Sequence, residues 1–224
     1  MNQIQLVISL FAAYVISDFL IQTDKEAQSK EQFGILIRHC VTAALFSYLL
    51  TGFWELWIIP VLIFTTHLCL DFVKIKFSPA KLWIFIVDQF LHIEIFIVLA
   101  FTINDIKDQA VSSIWHHAIG GYYDIISILL SGFIITTHVG NLIVGFGVEP
   151  FVKEQIDEEI SRGSTLKLHT SPTRIGFEKS GKIIGQLERA MIFIFVLSSQ
   201  PSAIGFLIAA KSPLRFGEIG SGAN

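Results

Sequence analysis

The sequence predicts an all-α protein: a polytopic transmembrane helix bundle of about seven helices, six of ordinary length plus a short seventh. Three observations carry this. The 224-residue chain has 52% hydrophobic and only 16% charged residues, whereas soluble domains carry about 25% charged residues. Mean hydropathy is +0.62. Apolar runs approaching the roughly 20 residues needed to cross a bilayer recur along the chain, separated by short polar links.

The first run is Ile4 to Gln22, followed by a polar link, Thr23 to Gln32. The second extends from Phe33 to Leu50, and Thr51-Gly52 turns the chain into the third, Phe53 to Val73. Ser78-Pro79 breaks the chain, because proline disfavours helix in the residue before it. The fourth runs from Lys81 to Ile103, and Asn104 to Gly121 reads as a polar connection. The fifth covers Tyr122 to Val148 and ends at Pro150. Phe151 to Ser180 is the one soluble-looking stretch, with a short acidic surface helix around Lys153 to Glu159 and a loop after it. Gly181 to Ser199 gives the sixth helix and Pro201 to Ala210 the short seventh. The expected organisation is a five-helix core over 1–148, a cytoplasmic linker over 149–180, and two C-terminal membrane helices with a tail over 181–224.

A net charge of −3 without a basic stripe argues against a nucleic-acid partner. Cys40 and Cys69 both lie inside apolar runs, so no disulfide framework is expected. The N-terminus lacks the basic start of a signal peptide, and the first run reads as a retained helix. Lys and Arg concentrate in the links after helices one, three and five and in the tail, while Lys107 alone marks the other side. By the positive-inside rule the N-terminus lies outside and the C-terminus in the cytoplasm.

Ionisable residues inside apolar runs are costly and normally face a protein interior or a wet cavity. This chain has six: Asp18, His39, His67, Asp71, Asp88 and His92. On alternating up-and-down helices all six fall at the cytoplasmic end, within about 10 Å of depth at 1.5 Å per residue. His67 and Asp71 are four apart and share a helix face; Asp88 and His92 repeat the spacing in reverse. Two such pairs could supply four ligands to one divalent metal, with His39 a fifth ligand or an orienting partner. Imidazole with carboxylate suits Zn²⁺, Fe²⁺ or Mn²⁺, with zinc the default for hydrolysis. Asp18 is the candidate base or an outer partner. Gln22 and Gln89 could donate hydrogen bonds to developing negative charge, and Lys74, Glu188 and Arg189 could hold a substrate headgroup.

Each residue also has a bland reading. A lone membrane histidine can bond a carbonyl across helices, Asp71 can pair with Lys74, Glu188 can pair with Arg189, and lysines near helix ends can be ordinary anchors. Six coincidences at one depth are harder to explain that way. The reading is therefore a metal-dependent intramembrane hydrolase acting on a membrane lipid or lipid-linked substrate. The alternatives are a small ion- or proton-coupled transporter, or a non-catalytic membrane protein docking through the 151–180 stretch, with no protein partner specified.

Asp18-Phe19-x-x-Gln22, His39, His67-x-x-x-Asp71-x-x-Lys74 and Asp88-Gln89-x-x-His92 together resemble a bacterial membrane family, domain of unknown function 3307. The resemblance covers roughly the first half of the chain. It implies a bacterial polytopic membrane protein and supplies no activity.

Overall fold

In the computed structural model, residues 3–23, 26–27, 29–76, 82–106, 113–148, 151 and 172–210 are described, with side chains outside 104–106 and 172–180. Every regular element among them is helical. The chain divides into two units, Met1–Pro150 and Phe151–Asn224.

The first unit is built around its first helix. Helix α1 covers Gln3–Val15 and continues as a π-helix over Ile16–Ile21. Ala12, Ala13, Tyr14 and Val15 are all buried, as expected of a helix surrounded on every side. Around α1 pack α2 (Phe33–Thr51), α4 (Leu82–Ile106) and α6 (Tyr122–Ile134), while α3 (Ile58–Ile75) packs on α2 and α4. The alanines leave room for close helix approach. Leu6, Leu10, Phe53, Ile59, Ile63, Phe96, Ile103 and Ile134 form the apolar core. Outward faces carry exposed Phe72, Phe90, Val98, Phe101 and Ile125. So broad an apolar exterior is foreign to a water-soluble monomer and suits a bilayer.

Five helices among the described residues are long and apolar enough to cross a membrane: Gln3–Ile21, Phe33–Thr51, Ile58–Ile75, Leu82–Ile103 and Tyr122–Val148. These are the first five expected spans. The third starts five residues later than expected, because Phe53 to Trp57 form turns and Pro60 sits in the first helical turn, where its missing N–H costs nothing. The connection before the fifth contains a short helix, α5 (Ile114–Ile119). The fifth span holds a second π segment, Ile135–Val139. Of the two cysteines in apolar runs, Cys40 is buried and Cys69 is exposed on α3.

The second unit contains α7 (Pro172–Leu197) and the apolar α8 (Pro201–Ala210). Helix α7 begins nine residues before the expected Gly181, with proline in the first helical position, where it is well tolerated. Lys182, Glu188 and Arg189 interrupt its apolar half. Helix α8 is about 15 Å long at 1.5 Å per residue, half the hydrocarbon thickness of about 30 Å. The expected acidic helix around 153–159 and the tail beyond 210 lie outside the described residues.

Distant residues cap the end of α2. Trp115 Nε1 donates to the Leu49 carbonyl at 2.7 Å, Tyr123 Oη to that of Leu50, Ser113 Oγ to that of Thr51 at 2.7 Å, and the Ile114 N–H to that of Gly52 at 3.1 Å. Helix-end carbonyls need such partners. Gly52 makes the turn with φ +67°, and a Cβ there would stand 2.7 Å from Trp115 Cδ1 and 2.8 Å from Ser113 Oγ. Gly52→Ala should cost about 1–2 kcal/mol for the left-handed backbone alone, and the contacts add to it. A thermal melt in detergent should show a clearly lowered Tm; an unchanged Tm would contradict the turn geometry.

Candidate functional site

The site forms where four spans meet. In α1, Ser17 Oγ lies 3.0 Å from the Tyr14 carbonyl and 2.8 Å from Asp18 Oδ1. A side-chain hydroxyl bonded to a helix carbonyl competes with the regular backbone ladder. The chain widens here, and the Gln22 N–H closes on the Ser17 carbonyl five residues back, at 3.1 Å. Such π segments recur at functional sites. This one carries Asp18 into the bundle, where it meets His39 from α2 and His67 from α3.

The three form a tight triangle. His39 Nε2 is 3.0 Å from His67 Nε2. His67 Nε2 is 3.5 Å from Asp18 Oδ1, and His39 Nε2 is 3.7 Å from Asp18 Oδ2. All three groups can present ligand atoms lying within 4.8 Å of one another. Asp71 Oδ2 is a further 3.5 Å from His39 Nε2.

Two lysines join the cluster: Lys74, expected to hold a headgroup, and Lys30, which the sequence does not single out. Lys30, from the link between α1 and α2, reaches Asp71 Oδ2 at 2.7 Å with its side chain only 12% exposed. Lys74 reaches Asp88 Oδ2 at 2.5 Å rather than a substrate or Asp71. The buried group therefore holds three carboxylates against two ammonium groups. Asp18 is the carboxylate whose ionic contacts, among the described residues, are the two imidazoles.

Asp88 and His92, expected as metal ligands, stand outside the triangle. Their i, i+4 spacing is used within α4 itself: His92 Nδ1 lies 2.8 Å from the Asp88 carbonyl. A carbonyl only accepts, so Nδ1 carries the proton and Nε2 presents a lone pair. That Nε2 is buried and has no hydrogen-bond partner among the described residues. The His92 ring stacks on Tyr14, centroids 4.8 Å apart, and tilts against His67 at 4.7 Å. Tyr14 Oη donates to Gln89 Oε1 at 2.8 Å, and Gln89 Nε2 donates to Asp88 Oδ2 at 3.2 Å. Nothing in the sequence singles out Tyr14, because a tyrosine in an apolar run reads as packing.

Of the expected substrate residues, Gln22 lines a cavity of about 170 Å³ together with Ser17, Arg38, His39 and Thr42. Gln89 and Lys74 serve Asp88 instead. Glu188 and Arg189 lie on α7 in the second unit.

Outside the spans, Thr23 and Glu26 bond reciprocally. The Thr23 N–H donates to Glu26 Oε2 at 2.9 Å, and the Glu26 N–H donates to Thr23 Oγ1 at 3.3 Å, a capping box. Glu26 also pairs with Arg38. The backbone N–H of Thr23, then its hydroxyl and Arg38, hold the Glu26 carboxyl below the usual glutamate range. A depressed folded pKa means that this turn's stabilisation is present above the unfolded pKa and is lost as pH falls through the folded one. The Glu26 side-chain carbon resonance should therefore titrate below the ordinary glutamate value; a titration at or above it would contradict the box.

At the far end of α1, Gln5 Nε2 donates to Asp124 Oδ2 at 2.9 Å, and His116 Nε2 lies 2.9 Å from Asp124 Oδ1. His138, in the second π segment, lies with its Nδ1 3.0 Å from Thr137 Oγ1.

Apolar spans packed around a buried cluster of histidine, aspartate and lysine define a helical membrane protein with an ionisable centre. The chain belongs to a protein family of unknown function, DUF3307, whose family model matches residues 6–120. The matched stretch contains Asp18, Lys30, His39, His67, Asp71, Lys74, Asp88 and His92. Comparison with curated proteins and with solved structures gives no match.

Proposed function

We propose that the protein is a metal-dependent hydrolase of the bacterial inner membrane, N-terminus outside, acting on a lipid or lipid-linked substrate from the cytoplasmic leaflet. One observation carries the reading: the Asp18–His39–His67 triangle. Tetrahedral zinc with ligands at about 2.0–2.1 Å places its ligand atoms about 3.3–3.4 Å apart. The two imidazole nitrogens stand 3.0 Å apart, and Asp18 meets His67 through Oδ1 at 3.5 Å and His39 through Oδ2 at 3.7 Å; with one atom from each residue the three lie within 4.8 Å, close enough for a small turn of the carboxylate to complete the set. Three protein ligands leave a fourth position open, the pattern of catalytic rather than structural zinc.

The roles follow from the contacts. Asp18, first read as a base, joins His39 and His67 as a ligand. A bound zinc ion would polarise the scissile group and acidify a water. His92, with its tautomer fixed by the Asp88 carbonyl and its Nε2 free, is the proton acceptor. Lys30 and Lys74 pair with Asp71 and Asp88 and hold them in place.

A second reading has its own support. The 3.0 Å approach of His39 to His67 is also hydrogen-bond distance, and imidazoles chained to carboxylates can pass protons. Against it stands an apolar layer of Leu6, Leu10, Phe96 and Ile103 between this cluster and the Gln5–Asp124–His116 group.

Elemental analysis of the detergent-purified chain separates the two. The expected result is about one equivalent of zinc, iron or manganese, lost in the folded His39→Ala, His67→Ala double variant, since metal affinity resides in its ligands. Absence of metal from the wild type after incubation with each ion would reject the hydrolase and favour proton transfer.

A further inference from the structure

We infer that the cavity between α1 and α2 is the binding site for the phosphate-bearing headgroup of a membrane lipid, which reaches the histidine–aspartate triangle sideways between these two helices. The inference rests on the metal-site reading for what happens to the lipid, but the binding itself is separable from it.

The wall of the cavity gives its chemistry. His39 belongs both to the cavity lining and to the triangle, so a group held in the cavity lies beside the proposed metal. Gln22 Nε2 is buried with no hydrogen-bond partner among the described residues. A buried amide donor without an acceptor costs about 1–3 kcal/mol, so its natural complement is an oxygen. Arg38 lines the same space, and so does the Glu26 carboxylate that pairs with it, an anion from which a bound phosphate must stand clear. The Arg38 contact with Glu26 is made through one terminal nitrogen, and a guanidinium has five N–H donors in a planar fork suited to phosphate. Its side chain is 63% exposed, leaving it accessible to a ligand.

The size of the cavity and its flanks argue for a lipid. About 170 Å³ is below the roughly 300–1,000 Å³ of sites that enclose a whole small molecule. It is of a size for a headgroup rather than a whole lipid. The acyl chains have somewhere else to lie: Ile21 and Ile35 are in the lining, and Leu20, Phe33, Val41 and Leu45 are exposed on the same two helices. The polar cavity thus sits among bilayer-facing apolar side chains.

Native mass spectrometry of the detergent-purified full chain tests this, using phosphatidic acid against diacylglycerol with the same acyl chains. The wild type should retain one phosphatidic acid with about ten-fold preference or more, equivalent to about 1.4 kcal/mol. Gln22→Leu and Arg38→Ala should each cut that preference several-fold and together abolish it, while Arg38→Lys keeps part of it. Because Arg38 is mostly exposed, its loss should not unfold the chain. Equal retention of both lipids by the wild type, or undiminished preference in the double variant, would overturn the proposal. Full displacement by inorganic phosphate would overturn the lipid assignment and make the ligand a soluble phosphate. Metal content measured on the same samples keeps the two readings apart: a wild type that selects phosphatidic acid but binds no metal supports the headgroup site and rejects the hydrolase.

Discussion

Lys30→Met should be among the most destabilising single substitutions in this chain, by about 3–5 kcal/mol, the usual penalty for leaving one partner of a buried ion pair alone. Asp71 is 1% exposed, and its carboxylate lies 2.7 Å from the Lys30 ammonium. A loss of this size is a large part of the roughly 5–15 kcal/mol that holds a domain folded. Unfolding in detergent, followed by tryptophan fluorescence, should show it directly. The double variant Lys30→Met, Asp71→Leu should recover most of the loss, because removing both charges also removes the desolvation cost. The Arg38–Glu26 pair is the contrast: at 63% and 27% side-chain exposure, its removal should change stability by about 1 kcal/mol or less. A Lys30→Met protein as stable as the wild type would show that Lys30 does not occupy the site.

Lys30 also marks where sequence reasoning stopped. The six ionisable residues in apolar runs stood out because polar groups there need partners, and the structure brings all six to one end of the bundle. The i, i+4 spacing placed His67 and Asp71 on one face, and both are buried. Spacing cannot say which partner each side chain takes. A lysine in a polar link reads as a cytoplasmic anchor, yet Lys30 turns inward. Asp88 and His92 share a face, but His92 spends Nδ1 on the Asp88 carbonyl, so the pair is not a two-ligand clamp. Asp18 reads as a base or outer partner rather than a ligand when a regular helix is continued to its end. The π segment over Ile16–Ile21 changes the rotation of everything after Val15, and periodicity at 3.6 residues per turn carries no warning of it. The cap of α2 by Ser113, Ile114 and Trp115 was equally hidden, since it joins residues more than sixty positions apart. Helix existence was legible because the bilayer fixes length and hydropathy; helix rotation was not, because lipid is equally tolerant of every apolar face.

The second large effect concerns Asp18. Asp71 and Asp88 each have a lysine, whereas Asp18 faces two imidazoles; with both rings neutral, as metal ligands must be, a cation is what this carboxylate lacks. Asp18→Asn keeps the shape and removes the charge. Losing an outer hydrogen-bond partner of a metal site costs about 10–100-fold in affinity, so losing a ligand should cost about 100-fold or more. Asp88→Asn, outside the triangle, should stay within about ten-fold of the wild type by the same scale. Stability gives an independent readout with a sign that a merely structural aspartate would not produce. Zinc at about 100 times its dissociation constant should stabilise the wild type by about 2.7 kcal/mol, raising Tm; chelation should reverse it. Asp18→Asn should lose that increment. Its metal-free Tm should equal or exceed that of the metal-free wild type, because a buried carboxylate without a cation is costly. If Asp18→Asn instead lowers the metal-free Tm and leaves zinc affinity unchanged, Asp18 is a structural partner of the two histidines, and the triangle holds a proton rather than a metal.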